Sequence, residues 1–225
     1  MIWWAVAIAL AAIVAGLWYW QIVITEGAYL GQWVVTLLYD RYAHKYNRVK
    51  EFNPQEEYHF LGLPLLHTLG ADFDGVILDV ATGTGRLPRA MTALPQFRGQ
   101  VVGADHSRRM LAEARRTLPD TPLLVADALH LPFAAGSVGA ATCLEALEFL
   151  PDPTAGLREM ARVLAPGGTL LATNRIGWET KFMPGKTFSS VALTQILAEL
   201  GFENIAITPW LDIYDQVWAV KKSSE

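Results

Sequence analysis

Asp79 and Asp105 each close an apolar run, and the small-residue turn Ala81-Thr82-Gly83-Thr84-Gly85 lies between them. The first run and turn read VILDVATGTGR over Val76–Arg86. The second run, about twenty residues further on, reads VVGADHS over Val101–Ser107. A strand, a glycine turn, a helix and a second strand ending in an acid make a unit that binds a nucleoside-bearing cofactor at the carboxyl ends of parallel strands. Gly83 and Gly85 let the backbone come close to a ligand without a Cβ in the way, and Ala81 opens the same cofactor-binding turn. Asp105 is placed to accept hydrogen bonds from ribose hydroxyls.

A dinucleotide needs G-x-G-x-x-G. Here Gly83-Thr84-Gly85 runs into Arg86-Leu87-Pro88, so the third glycine is missing. Proline fits a first helical turn but does not give glycine's close helix–strand packing. Asp79 before the turn would repel a pyrophosphate, whereas it can accept bonds from an amino-acid ammonium group. A ligand with an adenosine end and an amino-acid end suits both acids, and S-adenosylmethionine (SAM) is such a ligand.

Pro122–Pro132, PLLVADALHLP, is a third apolar run ending in Asp127-Ala128. Ser137–Glu145, SVGAATCLE, is a fourth, and Leu157–Thr173, LREMARVLAPGGTLLAT, reads as a helix, a Pro-Gly-Gly turn and a fifth strand. With this ordered set, Leu38 to Lys221 resembles the class I SAM-dependent methyltransferases, in particular the group that contains the ubiquinone and menaquinone biosynthesis enzymes. The resemblance implies that Asp127 and Ala128 meet adenine and that His106 lies at the adenosine edge. Leu38–Tyr46, LYDRYAHKY, matches a segment that lids the cofactor in relatives, which assigns Tyr39 and Tyr46 to its methionine end. Some relatives carry E-x-x-E-H after the fourth strand, where the acids and the histidine hold a metal. This chain has Glu145 and Glu148, but Phe149 stands at the histidine position, so no metal site is expected. Glu145 is the candidate catalytic residue, orienting the acceptor or taking a proton. Glu148 reads as a helix-start charge.

The elements that must position these residues follow from pattern. Strands are expected near 76–80, 101–104, 122–126, 138–143, 168–173, 203–208 and 213–220, and helices near 86–94, 107–117, 153–164 and 189–200. The alternation predicts an α/β, Rossmann-like, seven-stranded, mostly parallel sheet with helices on both faces. The last two strands are joined by a short turn containing Pro209. They must form an antiparallel hairpin, since a parallel crossover needs many more residues. Asn53-Pro54 reads as a helix start and Gly201 as a helix C-cap.

Composition bounds the rest. The chain has 225 residues, 52% hydrophobic and 18% charged, with a net charge of -4. That suffices for one sizeable core, and no basic field favours nucleic acid. Cys143 is the single cysteine, so no disulfide forms within the chain. Ile2–Ile24 carries no charge and can cross a ~30 Å hydrocarbon core as a helix. Trp3 and Trp4 stand at one end and Trp18, Tyr19 and Trp20 near the other, as in an aromatic belt. A signal peptide would carry a basic leader and a shorter apolar run. Arg41, Lys45, Arg48 and Lys50 follow the run, so a single-pass N-terminal anchor is expected with the catalytic domain in the cytoplasm.

The domain reading is therefore an anchor over 1–25, a helical linker and lid over 26–70, and a methyltransferase domain over 71–225. Gly27–Tyr39 continues the first helix, lies in the membrane interface or packs on the domain. Trp178, Phe182 and Met183 are candidate walls of an apolar acceptor site, with Arg175 and Lys181 facing an anionic headgroup. The expected function is methyl transfer from SAM to a small or lipid-soluble acceptor, quinone-like or phospholipid-like. The alternative is a degenerate SAM-binding module that recruits a partner at the membrane.

Overall fold

The computed structural model describes residues 2–50 and 52–223. The expected readings at Met1, Glu51, Ser224 and Glu225 lie outside these residues.

Helix α1, Ile2–Tyr19, has no buried residue and runs without a break into a π-helical turn over Trp20–Ile24. Thr25 ends it, its hydroxyl donating to the Gln21 carbonyl at 3.0 Å. A left-handed turn at Glu26 and Gly27 reverses the chain. Helix α2 (Gln32–Lys50) follows, then the short helices α3 (Pro54–Glu57) and α4 (Leu63–Leu69). Asn53 caps α3 by accepting from Gln55 N, with Pro54 in the first turn as the sequence suggests.

Strands β1 (Val76–Val80), β2 (Gln100–Asp105), β3 (Leu123–Val125), β4 (Val138–Cys143), β5 (Leu164–Arg175), β6 (Phe202–Trp210) and β7 (Tyr214–Lys221) form one sheet. Helices α5 (Arg86–Thr92), α6 (Arg108–Thr117), α7 (Pro153–Val163) and α8 (Ser190–Glu199) follow β1, β2, β4 and β5. The strand order is β3-β2-β1-β4-β5-β7-β6, and only β7 runs against its neighbours. Successive residues of β1 point to opposite faces. Ile77 packs with Leu61, Leu87 and Met91, while Leu78 packs with Leu157, Met160 and Val163. A central parallel strand must be apolar on both faces because helices cover both.

Two local expectations are corrected. Pro166-Gly167-Gly168 is not a turn between α7 and β5. It is an irregular stretch inside β5, where the register against β4 shifts between Val138 and Ala140. Pro209 is not in the β6–β7 turn. β6 extends through it to Trp210, which is allowed because β6 is an edge strand and a missing N–H there costs no ladder bond.

Candidate functional site

The carboxyl ends of β1, β2, β3 and β4 open into one cavity, located where the strand order reverses between β1 and β4. Val80, Ala81 and Gly83 line it from β1, and Ala104, Asp105, His106 and Ser107 from β2. Ala126 and Ala128 follow β3, and Leu144, Glu145 and Phe149 follow β4. Thr36, Tyr39 and Tyr46 close it from α2.

Asp105 is set by the turns around it. Its Oδ2 accepts from Gly83 N at 2.8 Å, and its Oδ1 from Ser107 N at 2.7 Å. Burial raises its pKa, and these two N–H groups oppose the rise by favouring the carboxylate. Each oxygen keeps an acceptor direction for a ligand hydroxyl. Ala81 holds φ 56, a left-handed conformation that an L side chain rarely adopts.

Gly85 does not line the cavity. With φ +84, an added Cβ would stand 2.4 Å from Leu118 Cδ1, so glycine here permits the turn to press against α6. Asp79 lies behind the turn. It is buried, and accepts 2.6 Å bonds from the hydroxyls of Thr82 and Thr142. Burial pushes its pKa up to about 6 against those two bonds. It lines a small adjoining recess with Thr84, Arg86, Glu145 and Tyr46.

Asp127 turns its carboxylate onto its own loop, accepting from Leu129 N at 2.9 Å and facing His130 Nδ1 at 3.1 Å. Burial raises its pKa, but Leu129 N–H and His130 outweigh this and lower it. The flanking residues Ala126 and Ala128 face the cavity instead.

Helix α2 is fastened over the cavity along one face. Thr36 Oγ1 meets His106 Nδ1 at 2.9 Å, and Asp40 Oδ1 accepts from Ser107 Oγ at 2.5 Å. Asn47 Oδ1 accepts from Thr84 Oγ1 at 2.5 Å, and Lys50 Nζ donates to Glu145 Oε2 at 2.9 Å. Positions 36, 40, 47 and 50 recur at helical spacing. Tyr39 and Tyr46 turn inward beside this face and pack at 6.0 Å, while Tyr42 is exposed. Burial raises the Tyr39 pKa well above that of a free phenol, and Glu26 and Glu148 add to it.

Glu145 joins α2 to the turn. Lys50 holds Oε2, and Arg86 Nη1 holds Oε1 at 2.5 Å. Arg86 also binds Glu57 at 2.6 Å and stacks on Phe52 and Trp210. Burial alone would raise the Glu145 pKa, but Lys50 and Arg86 hold it below the ordinary carboxylate value. A carboxylate so held is a poor proton acceptor.

Glu148, expected as a helix-start charge, is instead buried. Tyr214 donates to its Oε1 at 2.5 Å, and Arg175 Nη1 stands 3.8 Å away. Glu145 and Glu148 therefore serve different partners. None of Trp178, Phe182 and Met183 lines this cavity: Met183 is buried, and the two aromatics are exposed. Arg175 is drawn inward to Glu26 and Glu148. The sequence reading did not find Arg86 or Lys186. Arg86 carries a weak signal as the charged residue that opens α5. The Lys186 ammonium donates to the Leu150 and Pro151 carbonyls, and no local signal marks it.

Residues 78–172 match the family description of a methyltransferase domain. A demethylmenaquinone methyltransferase of Beutenbergia cavernae is 41% identical over 106 residues, covering 47% of this chain and 43% of that protein. One from Thermotoga maritima is 32% identical over 156 residues, covering 68% and 66%. The chain spans less than half the length of the first curated relatives it matches. A Haloferax volcanii methyltransferase, solved with its Trm112 activator, shares the fold at a TM-score of 0.63 and 22% identity, covering 82% of this chain and 97% of that one.

Proposed function

Starting from the premise that this chain belongs to the SAM-dependent methyltransferase family, we propose that it is membrane-anchored and methylates a small, lipid-soluble acceptor of the quinone type. The observation that carries this is the cavity at the strand ends, with Asp105 at one side and Tyr39 and Tyr46 over it. Its residues fit SAM. Asp105 has free acceptor directions for the ribose hydroxyls, and Ala81, Gly83, Ala126 and Ala128 leave room for the nucleoside. Asp79, Tyr46 and Glu145 surround the adjoining recess, where the amino-acid end belongs.

Bound SAM supplies an electrophilic sulfonium methyl. The protein's work is to align the acceptor with that methyl and to exclude water. Tyr39 and Phe149 pack edge to face at 5.7 Å and present an apolar wall suited to an aromatic acceptor. Glu145 acts as a positioning residue: it fixes Arg86 and Lys50, and through them the turn and the lid. Tyr39 stays a neutral phenol at physiological pH, since its pKa is raised.

The acceptor class rests on the relatives, which are named demethylmenaquinone methyltransferases. The anchor rests on Ile2–Ile24, which is long and apolar enough to span a bilayer and has no buried residue. The basic residues that follow it favour a cytoplasmic catalytic domain.

Calorimetric titration of the detergent-solubilised full chain with SAM and with NADH tests the cofactor. Micromolar SAM binding without NADH binding is expected. Transfer of tritiated methyl from SAM into a membrane lipid extract tests the acceptor. Label in the quinone fraction supports the reading, whereas SAM binding with no labelled lipid favours a recruiting module without turnover.

A further inference from the structure

We propose that Trp33 and Leu37 on α2, with Trp178 and Phe182 on the loop after β5, form a face that docks into the anionic headgroup layer of the membrane. The inference rests on the anchored reading proposed above.

The end of the apolar helix is tied to both parts of this face. Trp20 Nε1 donates to the Phe182 carbonyl at 2.9 Å, and Tyr29 OH donates to the Pro184 carbonyl at 2.7 Å. The rings of Trp20 and Tyr29 pack at 5.5 Å. On the other side, only the turn Thr25–Gly31 separates the π-helical turn from α2. A helix that spans the bilayer up to Ile24 thus delivers the loop 178–184 and the start of α2 to the interface.

The residues found there suit it. Trp33 is 69% exposed, Leu37 48%, Trp178 60% and Phe182 47%, and Trp178 and Phe182 pack edge to face at 5.9 Å. Aromatic side chains of this kind favour the headgroup boundary. The exposed stripe of α2 then changes character with helical spacing: Trp33 and Leu37 give way to Arg41, Lys45 and Arg48, all exposed. Apolar residues next to the anchor, followed by cations, complement a surface of acyl chains under anionic phosphates.

The same helix lines the cofactor cavity with its inward face, through Thr36 and Tyr39. Seating α2 on the bilayer would let a lipid-dissolved acceptor reach the cavity without crossing water.

The test uses the full chain carrying one introduced cysteine, since Cys143 is buried and does not compete for label. Leu10→Cys, Leu37→Cys, Phe182→Cys and Val191→Cys variants are labelled with an environment-sensitive nitrobenzoxadiazole dye. Each is reconstituted in phosphatidylcholine–phosphatidylglycerol vesicles with and without nitroxide-bearing lipid. Loss of emission at positions 10, 37 and 182, but not at 191 on α8, is expected. Loss at 10 alone overturns the docking face while leaving the anchor intact. Emission retained at every position, 10 included, overturns the anchored reading and the face with it. Emission at 37 and 182 that changes with protein concentration and not with nitroxide lipid means that a second copy covers the face, which also overturns the proposal.

Discussion

Arg86 Nη1 and Glu145 Oε1 stand 2.5 Å apart, and this pair joins the residue that opens α5 to the second residue past β4. Lys50 on α2 completes the bridge at 2.9 Å. The pair crosses the cavity wall, so its loss is expected to be felt as cofactor affinity before it is felt as chemistry. Glu145→Gln should raise the KM for SAM about tenfold, roughly 1.4 kcal/mol, while kcat changes little. Stopped kinetics across pH separate the roles: a positioning residue leaves the pH profile of kcat in place, and a base removes its acidic limb. Loss of that limb in the variant would show that Glu145 takes a proton.

Asp79 gives a stability signature with a definite sign. Its folded pKa, about 6, lies above the ordinary 3.8. The folded state therefore binds a proton more readily than the unfolded one. Its stabilising contribution is fully present below the unfolded value and is lost as pH rises through about 6. Asp79→Asn should raise stability at pH 8 by up to about 3 kcal/mol and flatten the slope of stability between pH 4 and 6. The same change should weaken SAM, because the recess loses its charge for an ammonium group. Urea melts at several pH values, paired with calorimetry, measure both; equal stability of the two proteins at pH 8 would sink the burial argument.

Much of the frame was legible because it is written locally. The strands over 76–80 and 138–143 appear with the bounds that their apolar runs suggest, and the helices expected near 107–117, 153–164 and 189–200 are present, capped in the structure by Ser107, Asp152 and Ser189. The hairpin of β6 and β7 followed from the length of their connection alone. What was not legible depends on partners far along the chain. Glu148 looks solvated because the tyrosine that receives it is at 214. Asp40, Asn47 and Lys50 look like the polar face of a free helix, and only the fold brings Ser107, Thr84 and Glu145 against them. Gly85 reads as a ligand contact in any glycine-rich turn, yet its neighbour is Leu118.

Asp105 bears most of the expected contact with ribose. Asp105→Ala removes the acceptor for Gly83 N and Ser107 N as well as for the ligand. It should weaken SAM by about 1–3 kcal/mol through lost charge-assisted bonds. Asp105→Asn keeps the shape and one acceptor and should lose less. Calorimetry on both variants decides the point, and unchanged affinity in the alanine protein would remove Asp105 from the ribose site.

The buried pair Tyr214–Glu148 should behave as a unit. Tyr214 OH is the donor to Glu148 Oε1, and Glu148 Oε2 has no hydrogen-bond partner among the described residues. Burial raises the Glu148 pKa, opposed by the Tyr214 bond and by Arg175. Tyr214→Phe removes the nearest donor and leaves a buried carboxylate with little support, which costs about 1–3 kcal/mol. The raised pKa sets the direction with pH: stability is retained where Glu148 is protonated and falls as pH rises through its folded value. The phenylalanine variant should therefore lose more stability at pH 8 than at pH 5. Glu148→Gln carries no charge to bury, so adding it to Tyr214→Phe should recover part of the loss at pH 8. A double-mutant cycle by thermal melting measures the coupling. Losses that simply add, with no difference between the two pH values, would mean that the phenol and the carboxylate do not support each other.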